Sequence, residues 1–182
     1  MATIKLLDSG KEITDSKEVE KYLAKHGVTS QVWPAPPAWV TGKTELTDEE
    51  KQKLLDAYSA QLGREKRDKG YIQADVVVMS SRTPNLEQAL AKFDKVHHHT
   101  EDEVRYIADG EGVFGFDCKD GHQFLINVSA GDYIIIPAYS WHWFTLTEKR
   151  SIKAIRLFKD ISGWVPVYRD AQPSPQEKAQ AH

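Results

Sequence analysis

Residues 97 to 103 read His97-His98-His99-Thr100-Glu101-Asp102-Glu103, and side chains of these types at this spacing can hold a metal ion. A strand alternates its faces, so His97 and His99 project to one side and His98 to the other. A short turn through Thr100 to Asp102 then returns Glu103 on a neighbouring strand, adding an anionic oxygen beside two nitrogens. A fourth donor is His142, which follows the apolar run Ile134-Ile135-Ile136 and its stop, Pro137. Three imidazoles and one carboxylate suit iron, nickel or manganese better than the sulfur-rich sites of structural zinc. Octahedral coordination would leave two positions open for substrate and oxygen. Arg105 lies two residues after Glu103 and shares its strand parity, so its guanidinium is expected to face the same interior. There it can hold an anionic substrate through paired hydrogen bonds.

Those residues need strands to position them. From residue 71 onward short β-branched and aromatic runs alternate with turns: 76–79, 104–108, 113–116, 124–128, 133–137, 143–146 and 154–158. Gly110, Gly112, Gly121 and Gly131 punctuate them. Many short strands at close spacing indicate a sandwich or barrel. A turn at 81–85 leads into a brief helix carrying Leu86, Leu90 and Phe93. The N-terminal third is mostly helical in pattern. Val19, Tyr22 and Leu23 follow Asp15 and Ser16 and precede the stop Gly27. Thr47-Asp48-Glu49-Glu50 fits a capping box, and Leu54, Leu55, Tyr58 and Leu62 continue as one apolar stripe ending before Gly70. Between the helices, Trp33-Pro34-Ala35-Pro36-Pro37-Ala38-Trp39 biases the chain toward an extended connector. The expectation is a mainly β single domain over 1–170, with helices at about 15–70 packed on a barrel or sandwich at about 71–170. A disordered tail is expected at 171–182.

Bulk properties narrow the partners. The chain has 182 residues, 40% of them hydrophobic, and a formal charge of −3. That suits one compact domain and disfavours a nucleic-acid surface, which would be basic. Cys118 is the single cysteine, so no internal disulfide can form. No apolar run approaches a membrane span and no signal region opens the chain. A reducing compartment, the cytoplasm, is expected, with a small-molecule partner, no membrane and no nucleic acid.

The metal-ligand segments resemble the two cupin motifs, with His97, His99, Glu103 and Gly110 in the first and Gly131, Pro137 and His142 in the second. Three places depart from the pattern: Ala91 and Tyr139 stand where glycines are usual, and Leu146 stands for an asparagine. A closer resemblance is to the acireductone dioxygenase family. It is carried by 97–106, by Pro137-Ala138 followed by His142-Trp143-Phe144, and by Ala154-Ile155-Arg156-Leu157-Phe158 leading to Gly163-Trp164. It extends upstream to Lys69-Gly70-Tyr71 and Ala91-Lys92-Phe93. The resemblance implies a cupin jelly-roll with a helical N-terminal flank, one Fe(II) or Ni(II) per chain, and a monomer. It also implies cleavage of 1,2-dihydroxy-3-keto-5-(methylthio)pentene by dioxygen in methionine salvage. With iron the products are 4-methylthio-2-oxobutanoate and formate. With nickel they are methylthiopropionate, formate and carbon monoxide. By the same analogy Arg105 helps to form and hold the substrate dianion, with Arg156 in the same field. Asp102, which directly precedes the carboxylate ligand, is expected to tune it and so to share in catalysis, and Phe93, Phe144 and Trp164 are expected to line a pocket for the methylthio end.

Plainer readings stand beside these. The histidine run can be a solvated stretch, Arg105 an ion-pair partner in the barrel, and the three aromatic residues ordinary core. The spacing of all four ligands favours a metal. His98 is expected to face outward, His122 to belong to a turn, and His26 and His182 to have no role. Two rival functions are another cupin metalloenzyme, such as a different dioxygenase or an isomerase, and a non-catalytic small-molecule-binding cupin.

Overall fold

The computed structural model describes residues 1–160 and 165–169; Trp164 and the expected tail at 171–182 lie outside the described residues. The N-terminal third runs β1 (Thr3–Leu6), β2 (Glu12–Ile13), α1 (Ser16–Lys25), β3 (Thr29–Val32), a 3-10 turn (Ala38–Val40), α2 (Asp48–Ala57) and α3 (Ser59–Lys69). Then come β4 (Gln73–Ser80), α4 (Leu86–Leu90), β5 (His97–His98), β6 (Glu103–Asp117) and β7 (Gln123–Ser129). The last strands are β8 (Asp132–Ile136), β9 (His142–Leu146), β10 (Ser151–Phe158) and β11 (Val167–Tyr168).

Two antiparallel sheets share one strand. The order β11-β5-β9-β6-β7-β1-β2 forms the first, and β4-β10-β6-β8-β3 forms the second. The shared strand is β6. Its first half pairs with β8 and β10 and its second half with β7 and β9. The sequence predicts two strands here, separated at Gly110. Instead the strand runs through, and the glycine serves a close approach. Gly110 adopts φ +75°, and a Cβ on it would lie 2.0 Å from the Ser151 carbonyl oxygen, so only glycine lets β6 cross between sheets against β10. Beside it the β6–β10 register shifts between Lys153 and Ala154, a bulge that bends the strand further.

Alternation along the strands sorts side chains into layers. Ile107, Phe114, Ile134, Ile136, Ile152 and Ala154 fill the space between the sheets. Val104, Tyr106, Ala108, Tyr133, Ile135, Ile155 and Leu157 point the other way and are covered by Trp33, Leu54, Tyr58 and Leu62. Trp33 stacks on Tyr133 with centroids 4.2 Å apart, which pins the proline-rich connector to the sheet.

The helix signals hold in detail. The Asp15 side chain accepts from the amides of Lys17 and Glu18. Thr47 accepts from Glu50 N at 3.2 Å while Glu50 accepts from Thr47 N at 3.0 Å. Two differences appear. The stripe from Leu54 to Leu62 is split into α2 and α3 at Tyr58, whose hydroxyl donates to Pro34 O at 3.0 Å and meets Tyr106 Oη at 2.5 Å. Leu55 leaves the stripe and is only partly buried. The N-terminal third also supplies β1 to β3, which pair with β7 and β8, so it is part of the sheets as well as a cover for one of them.

Candidate metal centre

The short strand β5 lies against β9 with His97 directly opposite His142. The turn after β5 carries His99 and returns the chain as β6, which begins at Glu103. Local backbone order thus brings the four expected donors together. Their ligand atoms all lie within 4.8 Å of one another. His97, His99, Glu103 and His142 are 1%, 3%, 6% and 1% exposed. His142 Nε2 is 2.8 Å and His99 Nε2 3.6 Å from Glu103 Oε2.

The other ring nitrogens fix the orientation. His97 Nδ1 lies 2.7 Å from Lys95 O and His142 Nδ1 lies 2.8 Å from Ser140 O. A carbonyl can only accept, so each Nδ1 carries the proton and each Nε2 offers its lone pair inward.

The protonation states suit a cation. Burial pushes His97 and His99 down to about 4, so both rings are neutral near neutral pH. Burial alone would raise Glu103. The guanidinium of Arg105 outweighs it and holds the carboxyl well below the usual range. Neutral imidazoles around an ionised carboxylate are the forms a divalent metal requires. The donor set of three imidazoles and one carboxylate fits iron or nickel, and it includes no thiolate to favour a softer ion.

Arg105 faces the same interior, as its parity predicts. Its Nη2 is 2.8 Å from Glu103 Oε1, and burial lowers the guanidinium to about 10 against the opposing pull of Glu103. It remains charged. Together with His97, Glu103, Phe93, Phe144 and Arg156 it lines one cavity, whose other walls include Val77, Met79, Ile107 and Phe114. Sequence reasoning left out these last four. Ile107 was within reach, since it has the parity of Glu103 and Arg105.

Asp102 does not line that cavity. Its Oδ1 accepts from Ala138 N at 3.1 Å and its Oδ2 from the Tyr71 hydroxyl at 3.3 Å. It thereby ties the start of β6 to the turn that delivers His142. His98 packs its ring on Trp141 and Tyr139, with centroids 4.6 and 5.5 Å away, and pairs with Val167 in β11. His122 does more than close a turn, since it meets Tyr22 Oη at 2.5 Å. His26, given no role from sequence, contacts Cys118 Sγ at 3.5 Å.

The ARD/ARD' family model matches residues 8–166. The chain belongs to this family. It is 42% identical over 172 residues to the acireductone dioxygenase of Leptospira biflexa, covering 93% of this chain and 96% of the relative. It is 40% identical over 171 residues to that of Bacillus licheniformis, covering 92% and 96%. A solved structure of acireductone dioxygenase from Bacillus anthracis, with a cadmium ion in its active centre, superposes with a TM-score of 0.88 at 38% identity. That match covers 92% of this chain and 98% of the other. Family membership and the four-residue group make the chain a metal-dependent dioxygenase of cupin fold. Among the described residues no helix is long and apolar enough to cross a membrane.

Proposed function

We propose that the chain cleaves the acireductone 1,2-dihydroxy-3-keto-5-(methylthio)pentene with dioxygen, as a step of methionine salvage, using one Fe(II) or Ni(II) per chain. The iron form gives 4-methylthio-2-oxobutanoate and formate. The nickel form gives methylthiopropionate, formate and carbon monoxide. The observation that carries this reading is the convergence of four buried donors at a cavity whose remaining wall is apolar apart from two arginines.

A divalent cation held by His97, His99, Glu103 and His142 would supply Lewis acidity and a template for the two oxygens of an enediol. The side chains around it do the rest. Arg105, buried and cationic, stabilises the ionised enediol and binds one of its oxygens. Arg156 adds to the same field. Phe93 and Phe144 bury the methylthio end and keep water away from it. Asp102 acts through position, by holding the His142 turn and the Glu103 strand in register. Such bonds behind metal ligands typically change affinity or activity by about 10- to 100-fold when lost. A monomer working in the cytoplasm, where Cys118 stays a free thiol, completes the reading.

Oxygen uptake with synthetic acireductone tests it, followed by product analysis of protein purified without added metal. Keto acid identifies iron and carbon monoxide identifies nickel. No uptake by protein loaded with either metal would leave a different cupin metalloenzyme, and failure to bind metal would leave a small-molecule binder.

A further inference from the structure

Asp75 has no part in the chemistry above, yet it ends a row of charges that starts at Glu103. Strand register sets Arg156 opposite Arg105 on one side and opposite Asp75 on the other. Opposed residues on antiparallel neighbours share a face, and like charges so opposed repel. Two guanidinium groups on the wall of one cavity therefore need an anion at each end. Glu103 supplies one to Arg105. Asp75 supplies the other: Arg156 donates from Nε to Oδ1 at 2.7 Å and from Nη2 to Oδ2 at 2.5 Å. A paired contact of this kind fixes the plane of the guanidinium as well as balancing its charge.

The exposure of the pair decides what it is for. The side chains of Arg156 and Asp75 are 27% and 44% accessible, and partly exposed ion pairs contribute little to stability. Orientation is what remains. Charge balance agrees. The two arginines and two carboxylates cancel, so a bound divalent cation leaves the row positive by its own charge, opposite to a doubly ionised enediol.

We propose that Asp75 is a positioning residue for substrate recognition: by gripping the Nε edge of Arg156 it fixes that guanidinium at the cavity wall beside Arg105, where the pair meets the anionic oxygens of the substrate. The proposal rests on the cavity being an acireductone site. Its test is a double-mutant cycle on the metal-loaded enzyme with Asp75→Asn, Arg156→Gln and the double variant. Acireductone binding is measured calorimetrically without oxygen, so that no turnover occurs, and steady-state kinetics are measured with oxygen. Asp75→Asn is expected to weaken anaerobic binding by roughly tenfold, the scale of one charge-assisted contact, and to raise KM to match. Its kcat is expected to stay within about threefold, because the reacting atoms are untouched. Metal content should not change, the double variant should bind no worse than Arg156→Gln alone, and Asp75→Glu should restore part of the loss. Wild-type binding by Asp75→Asn, or losses that simply add in the double variant, would overturn the proposal. So would wild-type binding by Arg156→Gln. Failure of the underlying reading looks different, because then the metal-loaded wild type itself neither binds acireductone nor consumes oxygen.

Discussion

The two faces of β6 and its neighbours carry polar groups to opposite ends. Toward the helices, the Tyr58 and Tyr106 hydroxyls lie 2.5 Å apart and both reach Pro34 O, so one proton serves that carbonyl and the other the contact between them. Tyr133 donates to Glu65 at 2.7 Å, and Lys69 completes that carboxylate at 2.9 Å. The bulge turns Asp109 to the same side as Lys153, a 1% exposed lysine whose Nζ is 2.5 Å from Asp109 Oδ2, while Gly42 N adds a further bond at 3.1 Å. These groups pair with one another. On the inward face, Glu103 sits among three imidazoles, and one ligand atom from each of the four residues lies within 4.8 Å of the others. The same alternation that makes one face self-sufficient gathers on the other four side chains of metal-binding type. Polar burial on the first face maintains the fold, and on the second it defines a binding site.

Substitutions should separate the faces. The largest effect is expected on the inward side. His142→Ala removes one of four donors, so metal content should fall far below one per chain and turnover by at least about a hundredfold, beyond the usual loss from a hydrogen-bond partner behind a ligand. Its melting temperature without metal should stay near that of the metal-free wild type. Next is Asp109→Ala on the helix side, which strands the Lys153 ammonium. Leaving a buried charge without its partner costs about 3–5 kcal/mol, read from denaturant unfolding, while correctly folded protein should still bind metal. A smaller effect is expected for Tyr133→Phe, which deletes a buried hydrogen bond to a charged acceptor at a cost of about 1.5–3 kcal/mol, with KM and kcat unchanged. If Asp109→Ala or Tyr133→Phe abolished metal binding in folded protein, the division between the faces would be wrong.

The inward face was the more legible of the two. Its ligands are close in sequence, with His97, His99 and Glu103 within one turn and His142 just past Pro137, and strand parity carries Arg105 to the same side. What sequence could not supply is register. Nothing in the residues near Asp75 says that it lies opposite Arg156, nor does anything near Lys153 point to Asp109 beyond a bulge. Glycine misled for a related reason. Gly110 reads locally as a turn, and its use emerges only when Ser151 is packed against it. Strands β1 to β3 escaped because stretches such as Thr29-Ser30-Gln31-Val32 have little apolar alternation, and pairing with β7 and β8 holds them. The break at Tyr58 is likewise set by partners at Pro34 and Tyr106. Asp102 was read by its adjacency to Glu103, whereas its bonds run away from the cavity to Tyr71 and Ala138.

X-ray absorption at the metal edge of the iron- or nickel-loaded protein tests the central claim most directly. The account predicts one ion per chain with imidazole scattering from three histidines, oxygen donors for the rest, and no sulfur shell. A thiolate sulfur scatterer would place the ion at Cys118, beside His26, and contradict it. So would an unchanged spectrum in His142→Ala.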